Sequence, residues 1–197
     1  MSALTATADA LRAEAETLLK ATGLLDLFQT RFGAVALTGS ARYDLMVWRD
    51  IDIHMPVAPD RRLDYAALLP EIGTRFEAAG LRLHKAQFLD DYVDPHPLGA
   101  GLYWGIEFRD RAGNPWKADL WGWGPPDYEQ RQQRDGELRA ALAGADRTLI
   151  LKLKTEARVR PNYYGQVVGS MDIYRFVLAN GGSSLAALEA WVATKKE

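Results

Sequence analysis

From Thr7 to about Phe32 the apolar positions Leu11, Ala15, Leu18, Leu19, Leu24, Leu25 and Phe28 recur at helical spacing, with a break near Gly23. The period then changes. The run AVALTGS, Ala34 to Ser40, is short and apolar and ends in small residues, which predicts a buried strand followed by a turn. After a segment with room for one or two helical turns, RDIDIHMPV, Arg49 to Val57, alternates apolar and polar at period two.

A helix is predicted from about Arg61 to Ala79, stopping at Gly80, where glycine takes the left-handed position after a helix. LRLHKAQFL, Leu81 to Leu89, follows as a strand. A loop containing Pro95, Pro97 and Gly99 leads into GLYWGIEFRD, a turn over Arg111 to Asn114, and WKADLWGW, which together predict a hairpin. Beyond Gly124, Pro125 and Pro126 the pattern is helical, over about Asp127 to Ala143, Asp146 to Arg160, Gly165 to Asn180 and Ser183 to Thr194. Strands in the first two thirds and helices in the last predict an α+β fold rather than a repeating βαβ array. We divide it as residues 1–125, an N-terminal helix plus a mixed sheet, and residues 126–197, a C-terminal helical region.

Composition narrows the classes of function. At 197 residues, 48% hydrophobic and 25% charged, the chain can bury a substantial core. It has no cysteine, which excludes disulfides, thiolate metal sites and cysteine nucleophiles. The N-terminus shows no basic region followed by an apolar block, and no apolar run approaches the roughly 20 residues that span a bilayer. The expectation is a cytoplasmic protein without a membrane partner. A net charge of −2 argues against a surface built for nucleic acid. Acid gathers in residues 1–125, with 13 Lys/Arg against 17 Asp/Glu, and base in residues 126–197, with 11 against 9.

The alternating run carries the chemistry. Residues two apart on a strand project from one face, so Asp50 and Asp52 point together with Cα atoms roughly 6–7 Å apart, while Ile51 and Ile53 point into the core. Two carboxylates on one face repel and raise each other's pKa unless a cation lies between them, and oxygen-only ligands suit magnesium or manganese. If Asp119, on the second hairpin strand, joins them, three carboxylates can hold two ions about 3.5–4 Å apart, the arrangement for in-line phosphoryl or nucleotidyl displacement. Glu107, between Ile106 and Phe108 on the partner strand, competes for the third place. Gly39 and Ser40 close a strand and open a possible helix, a turn whose free backbone N–H groups suit a phosphate.

This order resembles the polymerase-beta-type nucleotidyltransferase superfamily: an apolar strand, Gly39-Ser40, nine residues from Ala41 to Arg49, the D-x-D of Asp50, Ile51 and Asp52 followed by Ile53, and a later acid, Asp119, between Ala118 and Leu120. The resemblance covers about residues 34–122. It implies a mixed sheet flanked by helices and transfer of a nucleoside monophosphate from a nucleoside triphosphate to an acceptor hydroxyl, releasing pyrophosphate. Asp50 and Asp52 would then bind two Mg²⁺ or Mn²⁺ ions, Asp119 would complete a metal site and orient or deprotonate the hydroxyl, and Gly39 and Ser40 would hold the terminal phosphates.

Other residues are assigned around that core. Arg42 could reach phosphate or lie on the surface. In ADRTLILKLKTEARVR, Ala145 to Arg160, a helix places Arg147, Lys154 and Arg158 on one basic face suited to a triphosphate, opposite Leu149, Ile150, Leu153 and Ala157; the LILKLK alternation leaves a strand open. His54 is read as satisfied within the sheet, Tyr163 and Tyr164 as loop packing, and His84 and His96 as too isolated for a zinc site. Trp104, Trp116, Trp121 and Trp123 are expected to cover one face of the sheet. The acceptor is expected to be a small molecule, an aminoglycoside-like antibiotic or another metabolite, before a protein or an RNA end. Two rivals stand beside this: a catalytically idle nucleotidyltransferase-like module of binding or toxin-antitoxin type, and a D-x-D glycosyltransferase.

Overall fold

A computed structural model describes residues 2–94, 99–180 and 182–194. Pro95, His96 and Pro97, singled out in the sequence, lie outside the described residues.

The opening helical pattern folds as α1 (Ala3–Thr22) and α2 (Leu24–Phe32), parted at Gly23. β1 (Ala36–Thr38) runs into the single-turn helix α3 (Gly39–Arg42), and β2 (Asp50–Pro56) follows. The helix expected over 61–79 is in two pieces, α4 (Arg62–Ala66) and α5 (Leu68–Ala78), preceded by a 3₁₀ turn at Pro59–Arg61. Pro70 is the reason for the break: it has no N–H for the carbonyl four residues back, and its ring crowds that carbonyl, so a helix can begin just before it but not run through it.

β3 (Arg82–Asp90), β4 (Gly101–Arg109) and β5 (Pro115–Trp123) complete one five-stranded sheet in the order β1-β2-β5-β4-β3. β4 and β5 form the expected hairpin, with Arg109 opposite Pro115. β2 and β5 are parallel and the other pairs antiparallel, so the sheet is mixed. Among the described residues no helix is long and apolar enough to cross a membrane.

Alternation divides the sheet. Ile51, Ile53, Ile106, Phe108 and Leu120 are buried on one face against Leu18, Phe28, Ile72 and Phe76 of α1, α2 and α5. Full burial of each large apolar side chain is worth about 1.5–3 kcal/mol, which commits every neighbour on the strand to the other face. The tryptophans therefore do not share a face. Trp104 and Trp116 sit in this core, whereas Trp121 and Trp123, at odd positions of β5, stack on the opposite face with centroids 4.6 Å apart. Parity along the strand, not tryptophan's affinity for its own kind, decides the placement.

After the sheet come α6 (Pro125–Leu142), α7 (Arg147–Arg158), α8 (Ser170–Leu178) and α9 (Leu185–Ala193). Asp146 caps α7 by accepting from the Leu149 N–H at 3.0 Å, which settles LILKLK as helix. α8 starts five residues later than the sequence suggests. Gly165 takes φ +82°, and the Gly169 N–H donates to Asp172 at 2.8 Å, so the helix is nucleated at Gly169 rather than at Gly165. A second core joins Leu151, Leu153, Phe176 and Leu188 of these helices to Ala8 of α1 and to Leu45 in the loop before β2.

Candidate metal and phosphate site

The chemistry-bearing residues meet on the face of the sheet opposite the first core. Strand register aligns Thr38, Asp52, Asp119 and Gly105 in one row across β1, β2, β5 and β4. The row brings Asp119 beside Asp52, and one oxygen from each of Asp50, Asp52 and Asp119 lies within 4.8 Å of the others. Glu107 is elsewhere: it stands opposite Lys117 and pairs with Lys85 at 3.1 Å. The third carboxylate of the cluster is thus Asp119. Burial raises the pKa of Asp52 well above its ordinary value, and the charges of Asp50 and Asp119 add to the rise. Asp50 is raised for the same reasons, burial first and then Asp119.

Partners are few. Asp50 accepts from the Trp48 indole N–H at 3.2 Å, and its other oxygen is buried with no hydrogen bond. Neither Arg49 nor Arg42 pairs with it, because Arg49 holds Glu14 at 2.8 Å and Arg42 holds Asp135 at 2.8 Å. Asp119 accepts from the Tyr103 hydroxyl at 2.5 Å and from Lys117 Nζ at 2.7 Å. Gly105 makes room for that tyrosine, since a Cβ there would stand 2.5 Å from the Tyr103 hydroxyl oxygen. Three crowded carboxylates with an orphaned oxygen among them suit a hard divalent cation, which oxygen donors alone can hold.

The Gly-Ser turn abuts this cluster. Gly39 takes φ +63°, and a Cβ at that position would lie 2.1 Å from Asp52 Oδ2, so the backbone touches the carboxylate only because the residue is glycine. Gly39, Ser40, Asp50, Asp52, His54 and Tyr174 line a chamber of about 310 Å³. Burial, with the charge of Arg131, lowers the His54 pKa to about 4, leaving a neutral ring at neutral pH.

Arg147, Lys154 and Arg158 do share one face of α7, but that face packs on the loop 44–48 instead of lying open to a triphosphate. Arg147 reaches the Asp44 carbonyl at 2.9 Å and Asp9 at 2.5 Å. Lys154 is fully buried, donating to the Leu45 carbonyl at 2.7 Å and to the Tyr174 hydroxyl at 3.3 Å. Burial lowers its pKa to about 7 despite the opposing charges of Asp52 and Asp50. Arg158 lies against Trp48, its guanidinium 4.4 Å from the ring centroid. Trp48 is the hub here, with Lys154 Nζ 5.0 Å above the ring and Tyr164 edge-on at 4.7 Å. Arg42 is neither a surface arginine nor aimed at the chamber: besides Asp135, it donates to the Leu37 carbonyl at 3.2 Å.

Four contributors escaped the sequence reading. Lys117 stands two residues before Asp119, so strand alternation already puts both on one face. Tyr103 is legible only once register sets β4 against β5. Trp48 had no periodic signal. Asp135, buried on α6, accepts from the Thr38 hydroxyl at 2.6 Å and from the Tyr43 hydroxyl while pairing with Arg42, and α6 is polar enough all round to hide it. Comparison of the chain with protein-family models and with curated protein sequences gives no match.

Proposed function

We propose that the chain is a divalent-metal-dependent nucleotidyltransferase, moving a nucleoside monophosphate from a nucleoside triphosphate to an acceptor hydroxyl and releasing pyrophosphate. The observation that carries this reading is the convergence of Asp50, Asp52 and Asp119 beside the Gly39-Ser40 turn, with a buried Asp50 oxygen left unpartnered. Asp50, Asp52 and Asp119 would hold Mg²⁺ or Mn²⁺, and the ions, when bound, neutralise the charge on the transferring phosphoryl group. Gly39 and Ser40 present backbone and hydroxyl donors to the phosphates. Asp119 takes the proton of the acceptor hydroxyl as its oxygen bonds to the α-phosphorus and the bond to pyrophosphate breaks. Tyr103 fixes Asp119 in orientation, and Lys117 balances its charge. Positioning and electrostatics supply the rate, so no side-chain nucleophile is required.

The test is thermal stabilisation by ATP, GTP, CTP and UTP with and without Mg²⁺, on the wild type and on the Asp50→Asn/Asp52→Asn double variant, followed by pyrophosphate release with candidate acceptors. Magnesium-dependent stabilisation that the double variant loses is expected. Absence of triphosphate binding, or equal binding by the variant, defeats the reading. One observation favours a second reading, a module that binds nucleotide without turnover: both Asp119 oxygens already carry a donor, Tyr103 and Lys117. Magnesium-dependent binding with no pyrophosphate release from any acceptor would select it.

A further inference from the structure

A second, larger cavity reaches the carboxylate cluster at Asp50. Its volume is about 900 Å³, and it shares Trp48, Asp50 and Tyr164 with the small chamber while excluding Gly39, Ser40 and Asp52. Two chambers that meet at Asp50 divide a two-substrate reaction between them: the one with the Gly-Ser turn suits the phosphates, and the other is left for what receives them. Resting on the nucleotidyltransferase reading, we propose that the larger cavity is the acceptor site and that it takes a hydroxyl-bearing organic anion with a flat or apolar body, not a polycationic aminosugar.

The charge inventory of the wall decides the sign. Glu14 is neutralised by Arg49 at 2.8 and 3.2 Å, and Glu107 by Lys85 at 3.1 Å. Asp50 belongs to the metal cluster, so no acid of the wall is left to meet an ammonium group. Of the cations, Arg49 is paired with Glu14 and Lys117 with Asp119, which leaves Arg158 and Arg109. Among the described residues Arg158 has no carboxylate within ion-pairing distance; its guanidinium rests on the face of Trp48 with the side chain exposed. Arg109 likewise has no acid partner and donates to the Gly113 carbonyl at 2.9 Å. A guanidinium stacked by one face keeps its edge N–H groups for a carboxylate or phosphate, which they can grip in bidentate fashion. The apolar part of the wall that has accessible surface, with Ala10, Val47 and Pro115 beside Trp48, gives the body of the ligand something to cover. This assigns Arg158 to the acceptor rather than to the nucleotide.

The test uses three phenols of nearly equal shape and different charge: para-hydroxyphenylacetate, tyrosol and tyramine. Binding is measured by calorimetry with Mg²⁺ present, on the wild type, Arg158→Leu and Arg158→Lys, alongside magnesium-dependent stabilisation by nucleoside triphosphate. The anion should bind about tenfold more tightly than the amine, the scale of one charge-assisted contact. Arg158→Leu should erase that preference, Arg158→Lys should keep part of it, and both should leave nucleotide stabilisation unchanged. Equal or tighter binding of tyramine overturns the proposal, as does failure of all three phenols to bind. Loss of nucleotide stabilisation in Arg158→Leu with the anion preference intact overturns it too and gives the cavity to the nucleotide. Because phenol binding and nucleotide stabilisation are read separately, a protein that binds the anion but no triphosphate defeats the nucleotidyltransferase reading and, with it, the acceptor role alone.

Discussion

Asp135 offers the sharpest test of how the helical region supports the Gly-Ser turn. Its carboxylate, on α6, gathers the Thr38 hydroxyl at 2.6 Å, the Tyr43 hydroxyl and the Arg42 guanidinium at 2.8 Å, three groups that flank Gly39 and Ser40 on both sides. Burial and the hydrogen bond to Asp135 also hold the Tyr43 phenol well above its ordinary pKa, so it donates at all physiological pH. Asp135→Ala leaves all three without their acceptor. Breaking a buried pair costs about 3–5 kcal/mol, and hydrogen bonds to a charged group about 1.5–3 kcal/mol each. Those figures do not add within one network. Arg42 retains 29% side-chain exposure against 7% for Asp135 and can recover water, so the low end, about 3 kcal/mol, applies. For a chain of this size that corresponds to a melting temperature lower by about 6–12 °C. Asp135→Asn, which still accepts from both hydroxyls, should lose less than half as much. Urea and thermal unfolding of both variants, with Leu188→Ala as an equally destabilised control far from the turn, make the measurement. If the turn depends on Asp135, magnesium-dependent nucleotide stabilisation falls in Asp135→Ala and survives in Leu188→Ala. A melting temperature for Asp135→Ala within about 2 °C of wild type would refute the reasoning.

Three further outcomes are expected. Asp50 and Asp52 have pKa values raised above 3.8, so the folded state binds protons more tightly than the unfolded state over the interval above 3.8, and stability of the metal-free protein falls as pH rises through it. Melting curves in chelator should show that decline flattened in Asp52→Asn, and an unchanged slope would contradict the clustering of charge. Lys154 is shifted the opposite way, to about 7 against an ordinary 10.5, so wild-type stability should rise with pH between those values, and the rise should vanish in Lys154→Met. Gly39→Ala would set a methyl 2.1 Å from Asp52 Oδ2 at a φ of +63°, so it should abolish magnesium-dependent stabilisation, as Asp52→Asn should; retained metal response would show that turn and carboxylate are not in contact.

Local pattern determined much of this protein before any tertiary contact was known. Period-two alternation put Asp50 and Asp52 on the face opposite Ile51 and Ile53, because a strand cannot bury one set without exposing the other. Gly23, Gly80 and the Gly124–Pro126 cluster marked element ends through backbone geometry alone. What the chain could not announce locally was register and long-range pairing. The choice of Asp119 over Glu107 rests on which residue of β5 lies beside Asp52, a consequence of packing a parallel strand in mid-sheet. Tertiary packing also decided what the basic face of α7 meets, laying it on the loop 44–48. A helix face reads as solvated when its charges are spaced correctly, yet Lys154 is swallowed by Leu45 and Tyr174, Arg147 is drawn to Asp9, and Arg158 is laid on Trp48. Residues 92 positions apart, Tyr43 and Asp135, meet behind the Gly-Ser turn. Periodicity reports which side of an element faces inward; only the tertiary structure decides what waits there.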